Sequence, residues 1–110
     1  MTEEDVTEVV AAALTALDRD FEAAVGIVRK IGDPNQAFQQ ATELGEILRK
    51  LYEASADLRA EQAARIFETE RMSLAGLADR IGVSKARAAQ LVKTAKSANR
   101  PKHTSEDEHV

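Results

Sequence analysis

A chain of 110 residues with no cysteine, no tryptophan and a formal net charge of −4 has room for one small domain, or a module with a helical appendage, and a single subunit buries only a modest core. The missing cysteines, and two histidines that both lie near the C-terminus as His103 and His109, exclude zinc fingers and a disulfide framework, so neither a metal nor a cofactor is expected. One Tyr and three Phe supply no platform for stacking single-stranded bases, no apolar run is long enough for a membrane span, and the acidic start Thr2-Glu3-Glu4-Asp5 is unlike a targeting leader, which points to a cytoplasmic protein.

Helix-forming residues dominate and no segment alternates apolar and polar residues as a half-buried strand does, so the expected fold is all-α. Thr2 and Asp5 form a capping-box-like start. From there Val6, Val9, Val10, Ala13, Leu14, Leu17, Phe21, Val25, Val28 and Ile31 trace an apolar stripe at helical spacing, and the first helix is expected to end at Gly32. Asp33-Pro34 reads as a cap followed by proline at the first helical position. Along the second helix Ala41, Leu44, Leu48, Leu51 and Leu58 keep a heptad rhythm, widened by Phe38, Ile47 and Tyr52. Ser55-Ala56-Asp57 could cap a new helix beginning at Leu58, so a bend or break is expected there. The stretch after Ser97 is polar, carries Pro101 and is too poor in apolar residues to pack. The predicted architecture is thus a helical hairpin over 1–57, a helix-turn-helix domain over 58–98 and a disordered tail over 99–110.

The richest segment is Met72 to Lys93. Leu77, Ala78 and Ile81 share one face of a short helix, Gly82 falls where a left-handed residue must end it, and Val83 plugs the corner. Ser84 can cap a second helix whose Ala88, Leu91 and Ala95 pack back on the first. The free face carries Lys85, Ala86, Ala89, Gln90 and Lys93. This is the layout of a helix-turn-helix that enters the major groove, with Lys85 suited to donate to guanine and Gln90 to pair with adenine.

Charge is segregated in the same sense. Residues 1–70 hold seven Lys/Arg against fifteen Asp/Glu, whereas residues 71–102 hold eight against Asp79 alone. The positive block falls on the segment that would meet a phosphate backbone. Ser84, Lys85, Ala86, Ala89, Gln90 and Lys93 are the expected base-reading positions, and Arg71, Ser73, Arg80, Arg87, Lys96 and Arg100 the expected phosphate contacts. Carboxylates such as Asp18, Asp20 and Glu22 sit on an ordinary charged helix face and the five glycines are scattered, so no enzyme is expected.

From Asp57 to Ser97 the chain resembles the helix-turn-helix of region 4 of bacterial sigma factors, through Ser73-Leu74, the turn Leu77-Ala78-Asp79-Arg80-Ile81-Gly82-Val83-Ser84, and Gln90 six residues beyond Ser84. From Asp33 onward it also resembles small actinobacterial proteins in which a long Ala/Leu/Glu-rich helix opening with Asp-Pro precedes a sigma-factor-like helix-turn-helix. It departs from the sigma pattern at Ala86 and Ala89, where an acidic residue and a second arginine are usual. The resemblance implies a DNA-binding regulator built on a trihelical domain, with a separate helix from Leu58 to Glu70 whose Ala63, Ile66 and Phe67 complete the core.

The expected function is sequence-specific binding of double-stranded DNA by a dimeric transcriptional regulator, or a plasmid, phage or chromosome-associated factor, read by the helix over 85–97 and placed on the nucleoid. The acidic polar faces of the first two helices do not suit a membrane surface. Their apolar faces, with Val10, Leu14, Leu17, Phe21, Leu44, Leu48 and Leu51, are the expected homodimer interface. The alternative is an adaptor that keeps a sigma-like domain to dock on RNA polymerase or another regulator without reading DNA.

Overall fold

A computed structural model describes residues 2–99, and that range folds into helices α1 (Glu3–Arg29), α2 (Pro34–Thr69), α3 (Leu74–Ile81) and α4 (Lys85–Asn99). No strand occurs among the described residues, so the all-α expectation holds. Arg100, both histidines and nearly all of the expected tail lie outside the described residues. The chain forms two units, residues 1–49 and residues 50–110.

The first unit begins with the expected capping box. The Asp5 N–H donates to Thr2 Oγ1 (3.2 Å) and the Thr2 N–H to Asp5 Oδ2 (3.3 Å), satisfying two donors left free by the first turn. α1 ends at Arg29, before the expected Gly32. Its last turn tightens instead, with Lys30 N–H donating to the Ile27 carbonyl and Ile31 N–H to the Val28 carbonyl, both at 3.1 Å. Those bonds occupy carbonyls that a left-handed glycine would otherwise help to satisfy, and Gly32 keeps no positive φ. At the start of α2 the Asp33 Oδ1 accepts from the Asn35 N–H (3.2 Å), with Pro34 at the first helical position where its missing N–H costs nothing.

α2 runs unbroken through Ser55-Ala56-Asp57, against the expected bend. The Ser55 hydroxyl donates to the Tyr52 carbonyl at 2.7 Å, so it bonds back into the preceding turn rather than capping a new helix. No glycine or proline interrupts α2 after Gly45, and the surrounding Glu53, Ala54, Ala56 and Leu58 sustain a helix or tolerate it well.

The second unit holds all the buried residues among those described. Ala60, Ala63 and Ala64 of α2 pack on Leu91 and Ala95 of α4, with Ile81 against them. An adjoining cluster joins Leu77 and Ala78 of α3 to Ala88 and Val92 of α4, surrounded by half-buried Ile66, Phe67, Met72 and Val83. Alanine at six of the nine buried positions lets the helix backbones approach closely, so a trihelical core closes with few large side chains. Ala63, Ile66 and Phe67 are the three of this core that the sigma-like resemblance implied. Ala60, Ala64 and Val92 complete it.

Candidate nucleic-acid interface

The corner between α3 and α4 determines which face of α4 is free. Ser73 accepts from the Gly76 N–H through its Oγ (3.0 Å), starting α3. Gly82 ends it at φ 72°, ψ 39°, in the left-handed region, and the Val83 N–H donates to the Ala78 carbonyl at 3.0 Å. This closure spans five residues and is the glycine-dependent helix stop, with half-buried Val83 supplying its usual apolar contact. Ser84 then accepts from the Arg87 N–H through its Oγ (3.0 Å) and caps α4.

With Ala88, Leu91, Val92 and Ala95 turned to the core, the opposite face of α4 falls to Ala86, Ala89, Gln90, Lys93 and Ser97, with Thr94 at its margin. Ala89, Gln90, Lys93, Thr94 and Ser97 line one shallow cleft on this face. Gln90, Lys93 and Ser97 are exposed, and Ala89 and Thr94 half-buried. Lys85 and Lys96 lie on one flank of the helix and Arg87 on the other, all three exposed. The expected base-reading set is therefore gathered on one helix, except that Lys85 stands at its side and Ser84 precedes the helix as its cap, its Oγ accepting there and its O–H left able to donate. Thr94 and Ser97 were absent from that set. They follow Gln90 and Lys93 by four residues, the interval that puts side chains on one helix face.

The expected phosphate contacts fare unevenly. Arg80 is committed within the protein: its Nη1 donates to Glu70 Oε2 at 3.0 Å and its Nη2 to Glu70 Oε1 at 2.7 Å. This two-pronged pair joins the end of α2 to the last turn of α3. Hydrogen bonding from Arg80 holds the Glu70 carboxyl below its ordinary value, desolvation opposes that, and the cation's charge adds to the lowering. The Arg80 pKa is raised in turn, through its hydrogen bond to Glu70 first and the carboxylate's charge second. Arg80 thus reads as the strut of the motif, and Glu70 was not foreseen because ten residues separate the partners in sequence. Arg71 follows directly with φ 49° and is exposed. Ser73 Oγ accepts the capping bond, which uses a lone pair and leaves its O–H able to donate. Arg87 and Lys96 are exposed, and none of the hydrogen bonds or salt bridges among the described side chains involves their charged groups.

Over residues 71–99 six Lys/Arg stand against Asp79 alone. No group of three or more His, Cys, Asp or Glu that could hold a metal occurs among the described residues, and no described helix is long and apolar enough to cross a membrane. Comparison with protein-family models, curated proteins and solved structures finds no match for this chain.

Proposed function

We propose that the protein binds double-stranded DNA with its α3–α4 motif, as a small regulator or chromosome-associated factor rather than an enzyme. The observation that carries this reading is the free face of α4. Gln90 and Lys93 project from it beside two alanines, Lys85, Lys96 and Arg87 flank it, and a left-handed glycine corner holds it against α3. A helix of this kind fits the major groove, the small Ala86 and Ala89 allow close approach, and an alanine methyl can meet a thymine methyl. The flanking cations suit phosphates, which tolerate looser geometry than base edges. A homodimer would offer two such helices to a two-fold related pair of half-sites. This reading places the protein on the nucleoid.

The sigma-like resemblance supports a DNA-facing role, while its loss of the usual acidic residue and second arginine at Ala86 and Ala89 is what the adaptor alternative, with RNA polymerase or another regulator as partner, rests on. Fluorescence anisotropy separates the two. With a duplex selected from random DNA, Gln90→Ala or Lys93→Ala is expected to cost about 1–3 kcal/mol and relax the choice of base. Lys96→Ala is expected to weaken binding to all duplexes alike and to reduce the salt slope by about one. Absence of duplex binding at low salt refutes the DNA reading and leaves the adaptor.

A further inference from the structure

The N-terminal unit presents a physical anomaly: its two helices carry many large apolar side chains, yet none of the described residues from 2 to 49 is buried. Leu14 is 58% exposed, Leu17 60%, Ile27 66% and Phe38 75%. On α1, Val10, Leu14, Leu17, Phe21, Ala24 and Val28 alternate at spacings of four and three, the seam of a helix that packs along its length on another. Ala37, Ala41, Leu44 and Leu48 repeat the same alternation on α2. Two successive helices of one unit carrying such seams supply what half a four-helix bundle needs.

We propose that a second copy of this chain covers these seams, with the two α1 helices antiparallel in a four-helix bundle. The open apolar area reaches what a stable dimer needs once the flanks of the seams are counted. Val10, Leu14, Leu17, Phe21 and Leu48 on the seams average a little under half exposure, which at roughly 150–200 Å² for a fully exposed residue leaves on the order of 400 Å² open, and Val6, Val9, Ile27, Phe38 and Ile47 beside them bring the total to about 900 Å². A specific interface of standard size takes about 800 Å² from each partner. The charge pattern selects the direction. Glu3, Glu4, Asp5 and Glu8 crowd the first turns of α1 and Arg29 with Lys30 closes it. Antiparallel pairing sets acidic ends against basic ones and opposes the helix dipoles, whereas parallel pairing stacks four carboxylates on their own copies. Four Lys/Arg against ten Asp/Glu over residues 1–49 make an anionic lipid surface a poor occupant. The inference stands on this unit alone and does not depend on whether α4 meets DNA.

Sedimentation equilibrium of the full chain at micromolar concentration is expected to give twice the 12.0 kDa subunit mass. Leu17→Glu should weaken self-association by roughly 100-fold or more, since it brings an unpaired charge into the seam. Because that variant could lose its helices, direction and place are read independently from two single-cysteine variants of this otherwise cysteine-free chain. Val10→Cys and Val28→Cys lie about 27 Å apart along α1. On mild oxidation each should stay unlinked alone, and the two should cross-link when mixed. A monomeric chain, a larger oligomer, self-linking of either variant, or a dimer that links in neither case or ignores Leu17→Glu overturns the proposal.

Discussion

Replacing Gly82 tests the corner on which the orientation of α4 depends. A Cβ built at Gly82 meets no atom within 4 Å, so substitution there introduces no clash with a neighbour. The cost comes from the backbone alone, at φ 72°. An ordinary L-residue in the left-handed region loses about 1–2 kcal/mol, asparagine less, and a β-branched residue more. A graded series is therefore expected, with Gly82→Asn mildest, Gly82→Ala intermediate and Gly82→Val worst at upward of about 2 kcal/mol. Gly76 supplies the internal control. It lies inside α3, where an added Cβ finds Ser73 Oγ at 3.4 Å and Met72 Cβ at 3.5 Å, both ordinary contacts. Gly76→Ala should stabilise by about 0.5–1 kcal/mol through helix propensity. Thermal unfolding followed by far-UV circular dichroism, at about 4–8 °C per kcal/mol for a domain of this size, should separate Gly76→Ala from Gly82→Val by at least 10 °C or so. Equal midpoints for these two variants, or Gly82→Val at the level of Gly82→Asn, would refute the assignment of the left-handed corner.

Two further perturbations probe the same unit. Leu77 is fully buried at 0% exposure, so Leu77→Ala should cost about 2–5 kcal/mol by removing contacts and leaving a cavity, measured by urea unfolding; a loss below about 1 kcal/mol would place Leu77 outside the core. The Glu70–Arg80 pair stabilises the fold while Glu70 is ionised. Its carboxyl pKa is lowered from 4.5 on folding, so the contribution is complete at pH values above 4.5 and is lost as pH falls through the lowered value. Wild type should melt above Glu70→Gln at pH 7 and converge with it in strong acid, and a gap that persists at pH 2 would show that the carboxylate's charge is not what matters.

How far the sequence could be read depended on the range of each interaction. The capping box at Thr2, the Asp33 cap, and Gly82 followed by Ser84 were all readable because each is closed within about five residues. Ser55 misled because a serine hydroxyl has two local uses, capping the helix ahead or bonding to the turn behind, and composition alone does not choose between them. Arg80 was readable as a cation but not as a strut, since only the fold brings Glu70 to it. The free face of α4 followed from spacing, and its extension to Thr94 and Ser97 followed from the same spacing once Val92 was known to face the core.

The two units invert the usual relation between bulk and burial. Around α3 and α4 the core is mostly alanine, and short side chains suffice because the backbones can come close. In the first unit the side chains are large and remain exposed, although burying each of them fully would be worth about 1.5–3 kcal/mol. Substitutions in the two places should therefore act through different equilibria. A change at Leu77 or Ala88 alters the folding of the second unit whatever the protein concentration. A change at Leu14 or Leu17, if a second copy supplies the missing cover, alters an association equilibrium, and its effect on melting should depend on concentration. Melting curves of Leu17→Ala and Leu77→Ala over a hundredfold range of concentration distinguish these cases: the loss at Leu17 should shrink toward the dilute end, where wild type has itself dissociated, whereas the intrinsic loss at Leu77 should persist. A loss at Leu17 that ignores dilution would mean that the side chain does its stabilising within one chain.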